Sequence, residues 1–272
     1  MATGTAKVTV TPQVSSCEGT AAGGTGTAKV TVRPQVSSCE GTAAGGTGTE
    51  AQGGHMIEAV VFDLDGVLVD SEPVWEQVRR QVVAEHGGHW AVDAQQRLMG
   101  MSTAEWARYL SHDLGVGLLP EKVADMVIGQ MKARYEAQVP VLPGAAGAVR
   151  RLAARWPLGL ASSSPPVLIG AALNGAGLAG CFAVTMSTQQ VARGKPAPDI
   201  YLAVTERLGH RPQRCAAVED SANGLRSAAA AGLTVIAVPH PRYPPGADAL
   251  RLAALVLPSL TELTPDAVAQ LG

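Results

Sequence analysis

Residues 57–72 read IEAVVFDLDGVLVDSE, an apolar run that ends in acidic residues. Residues 59–62 carry no polar side chain, which predicts a strand buried on both faces of a parallel sheet. Asp63 and Asp65 follow two positions apart, so their side chains point to the same side, toward the edge where open α/β sheets bind ligands. Gly66 suits the tight turn by which the chain leaves the sheet.

The neighbouring carboxylates have two interpretations. Like charges about 4 Å apart repel by roughly 4 kcal/mol at an effective dielectric near 20, so a close pair favours a cation or a proton between its members. The plainer interpretation is an acidic turn in which Asp70 or Ser71 caps the following helix. Residues elsewhere in the chain have to decide between them.

The overall composition is that of a globular chain. The formal net charge is -2, and 46% of the residues are hydrophobic, enough for a large core. Basic residues are scattered and only 4% of residues are aromatic, which argues against a nucleic-acid partner. The chain has no apolar run of about eighteen residues and no apolar signal-peptide core. We therefore expect a cytoplasmic monomer with no membrane partner.

Residues 1–55 differ in kind from the remainder. Residues 4–25 recur at 26–47 with one change, an offset of 22 residues, and the segment contains no Leu, Ile, Phe, Trp or Tyr. Because so little apolar surface cannot offset the entropy of ordering the chain, we expect a disordered Gly/Thr-rich extension. A short-period solenoid is the alternative, but two copies are too few to stack stably. The fold is expected to begin at Met56.

The remainder divides into a helical segment and an alternating segment. Helical periodicity is predicted over 74–86, 94–98, 103–113 and 120–137. Strands at 158–161, 182–186, 216–218, 234–238 and 254–257 then alternate with helices at 145–155, 167–174, 199–208 and 222–231 and a terminal helix. This pattern predicts an α/β fold with a doubly wound, mostly parallel, Rossmann-like sheet formed by residues 56–71 and 141–272. Residues 72–140 are predicted to form an all-helical insertion, the size of a small second domain.

Polar residues follow several of these strands at one edge of the predicted sheet. Ser162, Ser163 and Ser164 follow the second strand, Glu219 and Asp220 follow the fourth, and Lys195 precedes a helix. Taken singly, each is more simply a turn, a cap or a solvated loop residue. Together they fit Mg²⁺ held by carboxylates and a phosphate held by a hydroxyl and an ammonium group. With that charge neutralised, a carboxylate can attack phosphorus to give an aspartyl phosphate, and a second acid can move the protons.

These motifs resemble those of the haloacid dehalogenase superfamily, specifically its sugar-phosphatase and β-phosphoglucomutase-like branch. The resemblance rests on 63–72 (DLDGVLVDSE), Ser162, 195–199 (KPAPD) and 219–221 (EDS), in family order. It implies Asp63 as the nucleophile and Asp65 as the general acid/base. It implies that Ser162, Ser163 and Lys195 bind phosphate. The implied Mg²⁺ ligands are Asp63, Asp65 through its carbonyl, Glu219 and Asp220.

Departures from the mutase branch favour a hydrolase. That branch resembles this chain but carries a histidine at the position of Trp75, a Lys-Asn pair at 165–166 and an arginine at the position of Thr103. We therefore predict a Mg²⁺-dependent phosphomonoesterase for a small sugar or polyol phosphate, with a phosphomutase as the alternative. A non-catalytic module that binds Mg²⁺ and phosphate is the alternative outside enzymology. The resemblance also implies that the helical insertion, residues 72–140, is the family's cap domain, which closes over the site. From this cap, Trp75, Met101 and Ser102 are expected to reach the substrate, or else to pack the cap core, with Trp106 beside them.

Overall fold

The computed structural model describes residues 56–99 and 101–272, so the expected disorder and repeat of residues 1–55 lie outside the described part of the chain. Six parallel strands form one sheet in the order β3-β2-β1-β4-β5-β6. The strands are β1 Ala59–Phe62, β2 Leu158–Ser162, β3 Val184–Ser187, β4 Cys215–Glu219, β5 Thr234–Ala237 and β6 Leu255–Val256. The predicted doubly wound, Rossmann-like sheet is confirmed.

Strand β1 lies inside the sheet, between β2 and β4. All of its side chains are apolar and buried, as this position requires. Val60 and Phe62 pack into one hydrophobic cluster, whereas Ala59 and Val61 pack into a second cluster. Alternate side chains of a strand point to opposite faces, so both faces of the sheet are covered. Each buried side chain of this size contributes roughly 1.5–3 kcal/mol.

Helices from the second half of the chain cover these two faces. The helices of this half are α5 Ala145–Ala153, α6 Pro166–Gly175, α7 Asp199–Leu208, α8 Ala222–Ala230, α9 Ala247–Leu250 and α10 Pro265–Ala269. Helices α5 and α6 contribute apolar residues to the first cluster, and α7 and α8 contribute to the second. The sequence did not predict the short helix α9. It predicted β3 at 182–186, but Phe182 precedes that strand and packs edge-on against Phe62, with ring centroids 6.1 Å apart.

A helical insertion separates β1 from α5. Its helices are α1 Glu72–Glu85, α2 Ala94–Leu98, α3 Thr103–Arg108 and α4 Pro120–Ala137. The single helix predicted over 103–113 changes to a π-helix at Tyr109–Asp113. Apolar residues of the insertion belong to the same hydrophobic cluster as one face of the sheet. The domain boundaries at 72 and 140 stay a prediction. In the described part of the chain, no helix is both long and apolar enough to span a bilayer.

The chain passes between the sheet and the insertion at two adjacent points. Val69 and Val141 form an antiparallel bridge. The Asp70 N–H donates to the Pro140 carbonyl at 2.9 Å, and the Leu142 N–H donates to the carbonyl of Leu68 at the same distance. The outgoing and returning segments are therefore hydrogen-bonded to each other.

Helix α1 begins differently from the prediction of a capping hydroxyl at Ser71. Ser71 has helical dihedral angles, and its side chain makes no capping hydrogen bond. Its carbonyl instead accepts the backbone N–H groups of Val74 and Trp75. Because the bond between Asp70 and Pro140 fixes the preceding residue, the chain enters the helix without the extended residue that a capping side chain requires.

Candidate active site

The acidic residues lie where the sheet changes winding direction. Strands β2 and β4 flank β1, and open parallel sheets bind ligands at such a switch point. Phe62 pairs with Val218, so Asp63 follows β1 beside the carboxyl end of β4, where Glu219 and Asp220 lie. Carboxylate oxygens of Asp63, Glu219 and Asp220 all lie within 4.8 Å of one another.

Lys195 is the cation among these carboxylates. Its Nζ lies 3.0 Å from Asp63 Oδ1 and 2.5 Å from Glu219 Oε1, and its side chain is only 5% exposed. Burial alone would lower the pKa of Lys195, but the charges of Asp63 and Glu219 outweigh burial and raise it. Lys195 therefore stays charged and holds the loop before α7 against the ends of β1 and β4.

The carboxylates outnumber the lysine, and this imbalance appears in their pKa values. Burial, opposed by Lys195 and reinforced by Glu219 and Asp65, raises the pKa of Asp63 to about 8. Burial, Glu219 and Asp63 raise the pKa of Asp220 well above its ordinary range. A divalent cation would remove this repulsion, because it supplies the positive charge that one lysine cannot.

The donor set fits such a cation. Asp220 Oδ1 is buried and accepts no hydrogen bond from the described residues. Gly66, at φ 79°, leaves room for this side chain, since a Cβ at Gly66 would lie 2.0 Å from Asp220 Oδ2. Hard carboxylate oxygens in a partly hydrated site are the ligands that Mg²⁺ prefers. The residues present can therefore hold a metal ion.

Glu219 differs from the other two carboxylates because its oxygens already have donors. Oε1 accepts from Lys195 and from the Tyr201 hydroxyl at 2.8 Å. Oε2 accepts the backbone N–H groups of Asp220 and Ser221 at 3.1 and 3.3 Å. A Cβ at Gly224 would collide with this carboxylate, so the glycine gives it space. These contacts fix Glu219 as the residue that positions Lys195, and its role as a metal ligand stays a prediction.

Asp65 lies against the serines that follow β2. The hydroxyl of Ser164 donates to Asp65 Oδ2 at 2.8 Å, and that of Ser162 donates to the same oxygen at 3.2 Å. Ser162 is fully buried, whereas Ser163 is exposed and lines the cavity. The phosphate-binding roles of Ser162 and Ser163 stay predictions. The contact of Ser164 with Asp65 was not predicted, because it depends on how the loop after β2 turns back.

A cavity of about 1560 Å³ extends from this edge to the insertion. The predicted residues Trp75, Met101 and Ser102 all line it. Trp75 and Trp106 are also buried, with ring centroids 6.0 Å apart, so they pack the insertion and bound the cavity at once. The Ser102 hydroxyl donates to Glu105 at 2.7 Å in the capping box of α3. Contact of these residues with substrate stays a prediction.

Several cavity residues were missed from the sequence. Glu72 and Arg79 line the cavity from α1, and His240 and Tyr243 line it from the loop after β5. His240 Nε2 lies 3.4 Å from Asp70 Oδ1, and its ring stacks on Tyr243. The signal for Arg79 was present, since it lies one helical turn after Trp75 on the same face of α1. No local sequence pattern indicates that the loop after β5 lines the cavity.

A parallel sheet with three carboxylates at its switch point is the arrangement that the sequence motifs predicted for a haloacid dehalogenase-like hydrolase, and the comparison with protein families agrees. A model of the haloacid dehalogenase-like hydrolases matches residues 57–232. The chain belongs to this family, as its motifs predict, and is an enzyme of the phosphatase type.

Relatives with assigned names point to the sugar-phosphatase branch. Hexitol phosphatase B of Escherichia coli is 34% identical over 215 residues, which cover 76% of this chain and 95% of that protein. A solved structure named for a β-phosphoglucomutase of Thermotoga maritima is 32% identical with a TM-score of 0.64, covering 76% of this chain and 96% of that one. CbbY from Rhodobacter sphaeroides, solved with phosphate, is 28% identical with a TM-score of 0.69, covering 79% and 100%.

Proposed function

We propose that the protein is a Mg²⁺-dependent phosphomonoesterase that hydrolyses a small sugar or polyol phosphate through an aspartyl-phosphate intermediate. The observation that carries the proposal is the buried lysine that contacts Asp63 beside two further carboxylates at the switch point of the sheet. A phosphate dianion there would meet the Lys195 ammonium group, and the similarity to hexitol phosphatase B supports a polyol or sugar as the esterified alcohol.

Asp63, Asp220 and the Asp65 carbonyl would hold Mg²⁺, with Glu219 as the fourth candidate ligand. When bound, the ion neutralises phosphate charge and orients the phosphoryl group toward the nucleophile. Lys195 binds a remaining phosphate oxygen and keeps its ion pair with Glu219. Ser162 and Ser163 supply hydroxyl donors to the phosphate, which requires Ser162 to release Asp65.

Two proton transfers accompany the proposed reaction. A carboxylate oxygen of Asp63 forms a bond to phosphorus, and the bond between phosphorus and the ester oxygen breaks. Asp65 in its protonated form gives its proton to the departing alkoxide. It then removes a proton from the water that attacks the aspartyl phosphate, which releases inorganic phosphate and restores Asp63. Ser164 orients Asp65 for both steps through its hydrogen bond.

A phosphomutase is the second candidate, favoured by the similarity to the structure named for a β-phosphoglucomutase. A mutase must exclude water while a second sugar hydroxyl attacks the intermediate. In this chain the position of the mutase histidine carries Trp75, which cannot accept a proton. We therefore place the hydrolase first.

The test is phosphate release from a panel of hexose, pentose and polyol phosphates, with Mg²⁺ and with EDTA. We expect release with Mg²⁺, loss of release with EDTA, and no turnover by Asp63→Asn. Asp248→Asn is the matched control, because Asp248 is a surface aspartate paired with Arg226, and it should turn over like the wild type. Isomerised sugar phosphate without free phosphate would identify a mutase. Binding without either product would leave only a binding module.

A further inference from the structure

Arg79 carries a buried positive charge into the cavity. The residue is 6% exposed, and it lines the same cavity as Asp63 and Lys195. Among the described residues, no carboxylate oxygen lies within 4.0 Å of its guanidinium, and its Nε has no hydrogen-bond acceptor. Buried charges are ordinarily paired and hydrogen-bonded because desolvation is costly. Arg79 therefore has donors that the described residues do not use.

Two tryptophans hold the guanidinium in place. Its Cζ lies 4.6 Å from the ring centroid of Trp75 and 5.3 Å from that of Trp106. Cation–π contact offsets part of the desolvation cost, but a ring face accepts no conventional hydrogen bond from the in-plane N–H groups. Those N–H groups form a fork that matches the oxygens of a carboxylate or a phosphate.

The side chain stays charged in this environment. Burial lowers the pKa of Arg79 to about 10, and the charges of Glu72 and Asp65 oppose that effect. The Glu72 carboxylate accepts a hydrogen bond from Gln95 at 3.0 Å, and it acts on Arg79 through its charge without an ion pair within 4.0 Å. A permanent cation with free donors is thus available at neutral pH.

Helix α1 sets the separation between this cation and the catalytic edge. Glu72, Trp75 and Arg79 lie at positions i, i+3 and i+7, so they form one stripe along the cavity wall. The seven residues from Glu72 to Arg79 rise about 10 Å along the helix axis. Because helical side chains lean back toward the amino end, the guanidinium of Arg79 lies closer to the start of α1 than its backbone does. A substrate of sugar length could place its phosphate at Lys195, its carbon chain beside Trp75 and its far end at Arg79.

We propose that Arg79 binds a second anionic group, a carboxylate or a phosphate, at the end of the substrate remote from the scissile phosphate. The substrate class is then a phosphorylated sugar acid or a sugar bisphosphate rather than a neutral sugar or polyol monophosphate. This assignment rests on the proposed phosphatase function and names the substrate class of that site. Arg79 determines specificity and takes no part in the chemistry.

The test compares three substrates that share one carbon chain. They are a hexitol monophosphate, the hexonate monophosphate with a carboxylate at its far end, and the hexitol bisphosphate. A hydrogen bond to a charged group is worth about 1.5–3 kcal/mol, so the wild type should favour the acid or the bisphosphate in kcat/KM by roughly ten- to a hundredfold. In Arg79→Gln this ratio should fall close to one, mainly through a higher KM for the doubly anionic substrate. Arg79→Lys should keep part of the preference.

Arg80→Gln is the matched control. Arg80 is the next residue of α1, but it is exposed and pairs with Glu76 at 2.8 Å outside the cavity, so both rates and ratio should stay at wild-type values. Calorimetric binding of the same three compounds to Asp63→Asn with Mg²⁺ gives the affinity ratio without turnover. This measurement needs no change at Arg79, which protects the test if Arg79→Gln does not fold.

The possible outcomes separate the two proposals. A wild-type ratio of one or less for both doubly anionic compounds overturns the role of Arg79, and so does a high ratio that Arg79→Gln leaves unchanged. If no compound releases phosphate, the proposed function fails, while the calorimetric ratio still decides whether the cavity selects a second anion. Equal or absent binding of all three compounds overturns the anion site. Preference for only the acid or only the bisphosphate supports the site and identifies the anion.

Discussion

Replacing Asp63, the proposed nucleophile, should stabilise the metal-free protein. Asp63 is buried near Glu219, Asp65 and Asp220. Within the described part of the chain its one cationic partner is Lys195, which is shared with Glu219. Asp63→Asn keeps the shape of the side chain and removes the carboxyl group whose ionisation this environment opposes. The proposed catalytic site is in this respect a local source of instability.

The size of this stabilisation follows from the pKa of Asp63, which rises from 3.8 to about 8 in the folded protein. A carboxyl group with a raised pKa contributes stability only while it is protonated. The contribution is complete below pH 3.8 and is lost as the pH rises toward about 8. Neutral pH lies about 3 pH units above the ordinary value, at about 1.4 kcal/mol each, so burying this carboxyl group costs up to roughly 4 kcal/mol at neutral pH. The raised pKa already includes the attraction of Lys195. We therefore expect Asp63→Asn to stabilise the metal-free protein by about 2–4 kcal/mol.

Thermal unfolding in EDTA measures this gain. For a domain of this size, about 1 kcal/mol shifts Tm by roughly 2–4 °C, so Asp63→Asn should melt about 4–16 °C higher at neutral pH. The difference should shrink at about pH 5 and also with saturating Mg²⁺, because only the wild type keeps the full set of ligands. Asp248→Asn, whose surface carboxylate has a pKa lowered by Arg226, should show no gain. An unchanged or lower Tm for Asp63→Asn in EDTA at neutral pH would refute the reasoning.

Three further perturbations test the same site. Gly66→Ala should destabilise the protein by about 1–2 kcal/mol through its positive φ and displace Asp220, so calorimetry should show weaker Mg²⁺ binding; wild-type affinity would contradict the proposed packing. Lys195→Met should destabilise the metal-free protein by about 3–5 kcal/mol at neutral pH, because Asp63 and Glu219 lose their counter-ion. Denaturant titrations should show a smaller loss in acid, and equal losses at both pH values would argue against a charge effect. Mg²⁺ at about a hundred times its Kd should stabilise the wild type by about 2.7 kcal/mol and Asp220→Asn much less; equal stabilisation of both would remove Asp220 as a ligand.

Local sequence signals predicted those parts of the fold that depend on local chemistry. Helix α7 has the predicted bounds, 199–208, because Pro198 precedes it and Gly209 ends it at φ 79°. The hydroxyl cap expected at Ser71 was wrong, because hydrogen bonds to the distant returning segment fix the start of α1. The change from α3 to a π-helix has no evident local signal in the sequence.

The candidate site likewise combines residues that could be predicted from the sequence with contacts that could not. Asp63, Lys195 and Asp220 could be placed at one edge because each follows from its position relative to a strand in a parallel sheet. The contact between Ser164 and Asp65 joins residues 99 positions apart and depends on the path of a loop. Arg79 could be assigned to a helix face from its spacing. That no carboxylate of residues 56–99 and 101–272 pairs with it depends on how α1, α3 and the cavity pack together.

The paired crossing formed by Val69 and Val141 makes the insertion a replaceable unit. Since the outgoing and returning segments lie side by side, the ends of a different insertion of similar span could be joined there by recombination without altering the sheet. The groups proposed for chemistry lie outside residues 72–140, whereas Trp75 and Arg79 lie within them. Selectivity can therefore evolve by exchange or drift of one segment while the inherited reaction is preserved.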